Sequence, residues 1–334
     1  MGLGNYSVIF SNNWSSYLLC IWAWGGIGVF ALEIQGLQKK FQKQEVLKNV
    51  NLQVKEGSIF GFVGENGAGK TTTMNMIVGL SPIENGTIRI FDTAVEFGNT
   101  TTNKMIGYLP DVPEFYSYMT AKEYLTLCGE ITGMTNDQIK KKSEELLALV
   151  HLEKQNKKIG GFSRGMKQRL GIAQALLNEP RLLICDEPTS ALDPMGRKEI
   201  LDILLSLKGR TTILFSTHIL SDVERVCDSV GFLHNGMIKT SGLIEEVKKE
   251  YGQEGISISF VTEEELTTLI SSVSTLFPLI KIDRDKKTAF FTSEADLPGL
   301  GSQLLKILSN EKLVPLEFKR SETTLESIFL EVVK

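Results

Sequence analysis

Cysteine, histidine and net charge are all scarce in this chain of 334 residues, and each scarcity argues against a class of function. The four cysteines, Cys20, Cys128, Cys185 and Cys227, lie far apart and form no Cys-x-x-Cys pair. That speaks against a disulfide framework or a zinc site and fits structural thiols in a reducing compartment. Lys and Arg number 36 against 40 Asp and Glu, a net charge of −4. No broad positive field invites nucleic acid, so any anionic partner must be bound locally. The basic clusters Lys154, Lys157, Lys158 and Lys319, Arg320 read as solvated faces. No charged residue precedes Glu33, and no tryptophan follows Trp24. The nearly apolar run at 17–32 has 16 residues, short of the roughly 20 that a spanning helix needs, and no Lys or Arg precedes it as in a secretory signal. For residues 1–30 a membrane span, a weak interfacial anchor, a disordered tail and a misassigned translation start all stay open. No spanning run occurs at 33–334.

The length suggests about two domains on a prior of roughly 150 residues each. Residues 46–54 alternate as a half-buried strand, and 58–63 form a continuous apolar strand. That second strand runs into Gly64-Glu65-Asn66-Gly67-Ala68-Gly69-Lys70-Thr71, followed by a helical stretch that opens at Thr72 and runs over 72–80. This is the strand-loop-helix context that a phosphate loop requires. Glycines let the backbone amides curl around phosphates, and the helix N-terminus adds its positive end. Lys70 reaches the β- and γ-phosphates, and the Thr71 hydroxyl ligates Mg²⁺.

Phosphate loops serve many enzymes, so the discrimination comes from downstream. Helices at 121–133 and 136–152 belong to a long helical insertion, about 112–178, that contains Phe162-Ser163-Arg164-Gly165-Met166. A serine at an N-cap followed by glycine aims a helix dipole and free amides outward at an anion. Leu182-Leu183-Ile184-Cys185 is a short apolar run before Asp186-Glu187, so a buried parallel strand delivers both carboxylates to its C-terminal edge beside the phosphate loop. Ser190-Ala191-Leu192-Asp193 leads into Pro194 at the favoured first position of a helix. An apolar strand at 212–215 precedes Ser216-Thr217-His218. His151, at a helix end, and His234, before the Asn235-Gly236 hairpin turn, read as surface or structural.

In this order, residues 31 to about 245 resemble the ATP-binding subunits of ABC transporters, of the exporter type. The resemblance implies ATP and Mg²⁺ as cofactors, with Gly64 to Thr72 around the phosphates and the Phe41 ring stacked on adenine. It implies that Ser163 and Gly165 contact the γ-phosphate held by the other subunit, and that Asp193 lies in a loop communicating across the dimer. By the same likeness Asp186 orients the Mg²⁺ shell, Glu187 polarises the attacking water, and His218 contacts the γ-phosphate. Lys70, Glu187 and His218 are thus the candidate catalytic residues; Thr71, Asp186 and Asp111 are the candidate metal ligands. Two places leave the family's common pattern. Arg164 and Met166 stand where Gly and Gln are commonest, and Asp111, in Ile106-Gly107-Tyr108-Leu109-Pro110-Asp111, replaces the usual Gln. We expect Asp111 to couple the nucleotide site to the helical subdomain.

Past Lys249 no nucleotide motif remains. Strand 256–261, helix 263–277, strands 279–283 and 288–292, helix 295–310 and strand 314–318 follow in β-α-β-β-α-β order. That order suggests a ferredoxin-like domain over 250–334, closed by a helix with the capping box Thr323-Thr324-Leu325-Glu326. The expected fold is an α/β P-loop NTPase with a mixed or parallel sheet core, a helical subdomain and this small α+β accessory domain. The expected function is a Mg-ATP-hydrolysing subunit that dimerises around two ATP, with its own copy or a paralogous ATP-binding subunit. It drives export through a separate integral membrane permease, peripheral to the cytoplasmic face and without nucleic acid, the direction resting on family analogy. A soluble ABC-type ATPase not linked to transport and a nucleotide-sensing regulatory subunit are the alternatives.

Overall fold

The computed structural model describes residues 29–42, 44–251, 255–273, 280–292, 297–321 and 323–333. The expectations for residues 1–28, and so most of the apolar N-terminal run, lie outside them. Strands β1 (Phe30–Phe41) and β2 (Gln44–Lys55) pair antiparallel, with Leu32 opposite Val54 and Ile34 opposite Leu52. The alternation read at 46–54 turns Leu47, Val50, Leu52 and Val54 inward. Strand β3 (Ile59–Gly64) is buried throughout and leads through the glycine-rich loop into helix α1 (Lys70–Ile77). Strands β4 (Asn85–Ile90) and β5 (Thr93–Ala94) complete a four-stranded sheet of order β2-β1-β4-β5.

After β6 (Ile106–Leu109) come α2 (Ala121–Ile131) and α3 (Asn136–Leu149). Thr120 with Glu123, and Thr135 with Gln138, close reciprocal capping boxes at their starts. Both helices end before the sequence pattern predicts. Gly133, at φ 77°, and His151, at φ 56°, take left-handed conformations that the helix cannot continue through. Helix α4 (Arg164–Ala175) then leads to β7 (Leu182–Asp186), α5 (Pro194–Ser206), β8 (Thr212–Thr217), α6 (Leu220–Val226), β9 (Ser229–His234), β10 (Met237–Leu243) and α7 (Ile244–Tyr251). The central sheet runs β10-β9-β3-β8-β7-β6, parallel except for the edge strand β10. Its inner strands β9, β3, β8 and β7 are buried because both faces are covered. Ile59, Val63, Leu183, Cys185 and Phe215 join the helical side, whereas Phe60, Phe62, Leu182, Ile184 and Leu214 pack toward α1 and the antiparallel sheet.

The C-terminal part contains β11 (Gly255–Ser259), α8 (Glu263–Val273), β12 (Ile280–Asp283), β13 (Thr288–Thr292), α9 (Leu297–Asn310) and β14 (Glu317–Ser321). Its sheet, β12-β13-β11-β14, is antiparallel throughout and covers a core of its own around Ile258, Leu269, Phe291 and Leu304. The last strand begins three residues after the predicted start at 314. Pro315 has no N–H to give a ladder, and the pairing opens with Leu316 N–H on Ser259 O at 2.8 Å. The final helix, α10 (Leu325–Val332), is capped by Thr324, whose hydroxyl accepts from Ser327 N–H at 3.2 Å. The predicted Thr323–Glu326 box does not form: the cap is Thr324, in extended backbone, and three residues on stands Ser327, whose Oγ donates to Thr324 O at 2.8 Å.

Candidate functional site

The C-terminal ends of β3, β7 and β8 lie side by side, which gathers three separate sequence motifs at one edge. The parallel register places Val63 beside Thr217 and Asp186 beside Ser216. At the start of α1, Gly69 adopts φ 111°, and a Cβ there would meet Leu47 at 2.6 Å, so only glycine fits. No side chain caps this helix and its first turn carries no acid, which leaves its amides for an external anion.

Lys70 is 6% exposed and donates to Gly64 O at 2.6 Å and Glu65 O at 3.2 Å. Its ammonium lies 3.1 Å from Glu187 Oε1, and Glu187 Oε2 lies 2.9 Å from His218 Nδ1. The three candidate catalytic residues thus form one continuous chain of contacts. Glu187 itself adopts φ 49° and Ala191 φ 52°, conformations that cost non-glycine residues energy and cluster at functional sites. Asp186 is 1% exposed and accepts from Ser216 Oγ at 2.9 Å. Burial raises its carboxyl above the usual 3.8, opposed by hydrogen bonds from Thr71 and Ser216, while the charges of Glu187 and Asp111 push it further up. Burial likewise lifts the Tyr108 hydroxyl to about 12, and the nearby charges of Asp186 and Asp111 add to it.

A hard divalent cation fits this donor set. An under-compensated buried carboxylate and a threonine hydroxyl are oxygen ligands of the kind Mg²⁺ takes alongside phosphate oxygens. Among the described residues no group of three or more His, Cys, Asp or Glu side chains converges, so the protein's own share is small.

The other predicted residues make none of these direct contacts. Asp111 is half-exposed, its carboxylate 3.4 Å from Arg164, and its carbonyl accepts from the buried Gln168 at 2.5 Å. Asp111 and Arg164, two of the three residues that leave the common family pattern, therefore contact each other. Ser163 caps α4 by accepting from Met166 N–H at 3.2 Å, and a Cβ on Gly165 would meet only Leu192, at 3.9 Å. Asp193 caps α5 through Gly196 N–H at 3.3 Å. Phe41 is 51% exposed at the end of β1, with Lys39 Nζ 5.4 Å from its ring centre. Burial raises the thiols of Cys128, Cys185 and Cys227, in keeping with structural roles.

Sequence reasoning passed over Ser216 and a buried Asp222. The latter accepts from Thr189 Oγ at 2.8 Å and from Arg197 Nε at 2.6 Å, tying the turn after Glu187 to α5 and α6. Only its spacing from His218 could have drawn attention to it.

A family model described as ABC transporter matches residues 47–190. An uncharacterized ABC transporter ATP-binding protein of Bacillus subtilis, YxlF, is 39% identical over 90% of this chain and 99% of its own. The bacitracin transport ATP-binding protein BcrA of Bacillus licheniformis is 42% identical over 64% of this chain and 70% of its own. A dimeric ATP-binding cassette solved in a post-hydrolysis state with ADP and Pi superposes with TM-score 0.58 at 26% identity, covering 64% of this chain and 98% of that one. With the phosphate loop, the paired carboxylates and the histidine assembled at one sheet edge, the chain belongs to the ABC transporter ATP-binding proteins and is an ATP hydrolase.

Proposed function

We propose that this chain is the Mg-ATP-hydrolysing subunit of an exporter, working as a pair of chains on a separate membrane permease. The observation that carries the reading is the Lys70–Glu187–His218 chain of contacts beside Asp186. ATP phosphates entering the loop would compete with Glu187 for Lys70, freeing the carboxylate to take the proton of the attacking water while His218 holds it in place. Thr71 and Asp186 would hold Mg²⁺, which supplies positive charge to the phosphate oxygens.

Ser163 and Gly165 stand on an exposed helix start and make none of these contacts, which supports their service to a second copy's nucleotide. Val112, next to Asp111, and Tyr116 and Tyr118, whose rings lie 5.8 Å apart, are exposed apolar side chains that could meet a permease. Among the described residues no helix is long and apolar enough to cross a membrane. The likeness to BcrA, a bacitracin transport ATP-binding protein, supports a part in transport, and the outward direction rests on family analogy.

The test uses Glu187→Gln with ATP. Hydrolysis should fall at least about a hundredfold with ATP binding retained, and the protein should run as a dimer. Affinity capture of this variant from detergent-solubilised membranes should recover an integral membrane protein; recovery of ribosomal or soluble partners alone would overturn the transport reading.

A further inference from the structure

Helix α10 lies far in sequence from every nucleotide motif, yet it packs against the element that follows His218. Leu325, Ile328 and Phe329 are buried in one cluster with Val223, Val226, Phe232 and Val247, and Leu220 packs against it. Leu325 N–H donates to Glu224 Oε1 at 2.9 Å, and Lys248 holds the same oxygen at 2.7 Å. The α10 start is thus tied to α6, which begins two residues after His218. Phe329 meets Phe232 edge to face, centroids 5.4 Å apart at 79°. Phe329 also lines a cleft of about 280 Å³ whose other walls are Val63, Gly64, Glu65, Asn66, His218 and Leu220. The phosphate loop, the histidine loop and the C-terminal helix share one space.

We propose that Phe329 is a positioning residue for ATP hydrolysis: α10 forms one wall of the cleft and fixes α6, and with it the place of His218 against Glu187. The inference rests on His218 serving the γ-phosphate, and it assigns to the C-terminal region a direct part in turnover. Sub-ångström placement of a catalytic side chain governs the chemical step more than ground-state binding, so the effect belongs in kcat.

The chain carries three histidines, His151, His218 and His234, so the His218 ring resonance can be assigned by its loss in His218→Ala. In Phe329→Ala we expect kcat to fall about fivefold with the KM for ATP within about twofold. The His218 resonance should move while those of His151 and His234 stay, and Phe329→Leu should recover about half of kcat. Native kcat in Phe329→Ala, or a loss of kcat without movement of the His218 resonance, overturns the proposal. If Phe329→Ala does not fold, Phe329→Leu and Glu224→Gln are judged by the same two readouts, and native values in both overturn it. Lost turnover in His218→Ala beside native turnover in Phe329→Ala removes the role of Phe329 alone. Native turnover in His218→Ala removes the site reading as well.

Discussion

Asp186 tolerates its burial through hydroxyl groups. Ser216 reaches it because the parallel register sets the two residues side by side, at 2.9 Å between oxygens. A hydrogen bond to a buried charge is worth about 2 kcal/mol, so Ser216→Ala should lower stability by about that much. A urea titration would show a lower midpoint at unchanged slope, and an unchanged midpoint would deny the bond its role. Ser216 stands in plain view two residues before His218, but its function is invisible in the motif. The partner is chosen by strand register across thirty positions of sequence, which no local pattern encodes. By contrast Lys70, Asp186 and Glu187 are legible, because a strand-loop-helix pattern and an apolar run ending in two acids each fix their own geometry.

The elements were readable where their chemistry is local and displaced where it is not. Strand β14 starts late because Pro315 breaks the apolar run that suggested it, and α10 starts at Leu325, after a Thr324 cap, because backbone conformation selects the cap. A link between elements yields a pH prediction. Lys39, buried in β1, holds Glu84 just before β4 at 2.7 Å, and this hydrogen bond, followed by that from Lys40 N–H, keeps the Glu84 carboxyl below its ordinary 4.5. A carboxyl lowered on folding stabilises above its unfolded value, and the contribution disappears as pH falls through the lower folded one. The melting temperature of Glu84→Gln should therefore lie below that of the native protein at pH 7. The gap should close once the pH has dropped below 4.5 and through the lowered value; a gap independent of pH would rule the charge out.

For the whole molecule, one chain supplies Lys70, Asp186, Glu187 and His218 to one place and Ser163 and Gly165 to another. If each nucleotide needs both sets, ATPase activity per chain should rise with protein concentration and level off as the dimer fills. Activity per chain that is flat across the same range would mean that a single chain suffices. Phe329 shows the limit of reading along the sequence: its ring is ordinary core composition, and only the fold brings it beside Gly64.

The placement of β3 between β8 and β9 has a consequence for how the protein is made. Ile59 pairs with Ile213 and Phe60 with Ser229, so the strand that carries the phosphate loop emerges from the ribosome long before either neighbour exists. Closing such distant contacts is slow and leaves apolar strand surface waiting. ATP then has no assembled loop to grip until β9 has been synthesised, and nucleotide can act as a folding ligand only in the last stage of the domain's synthesis.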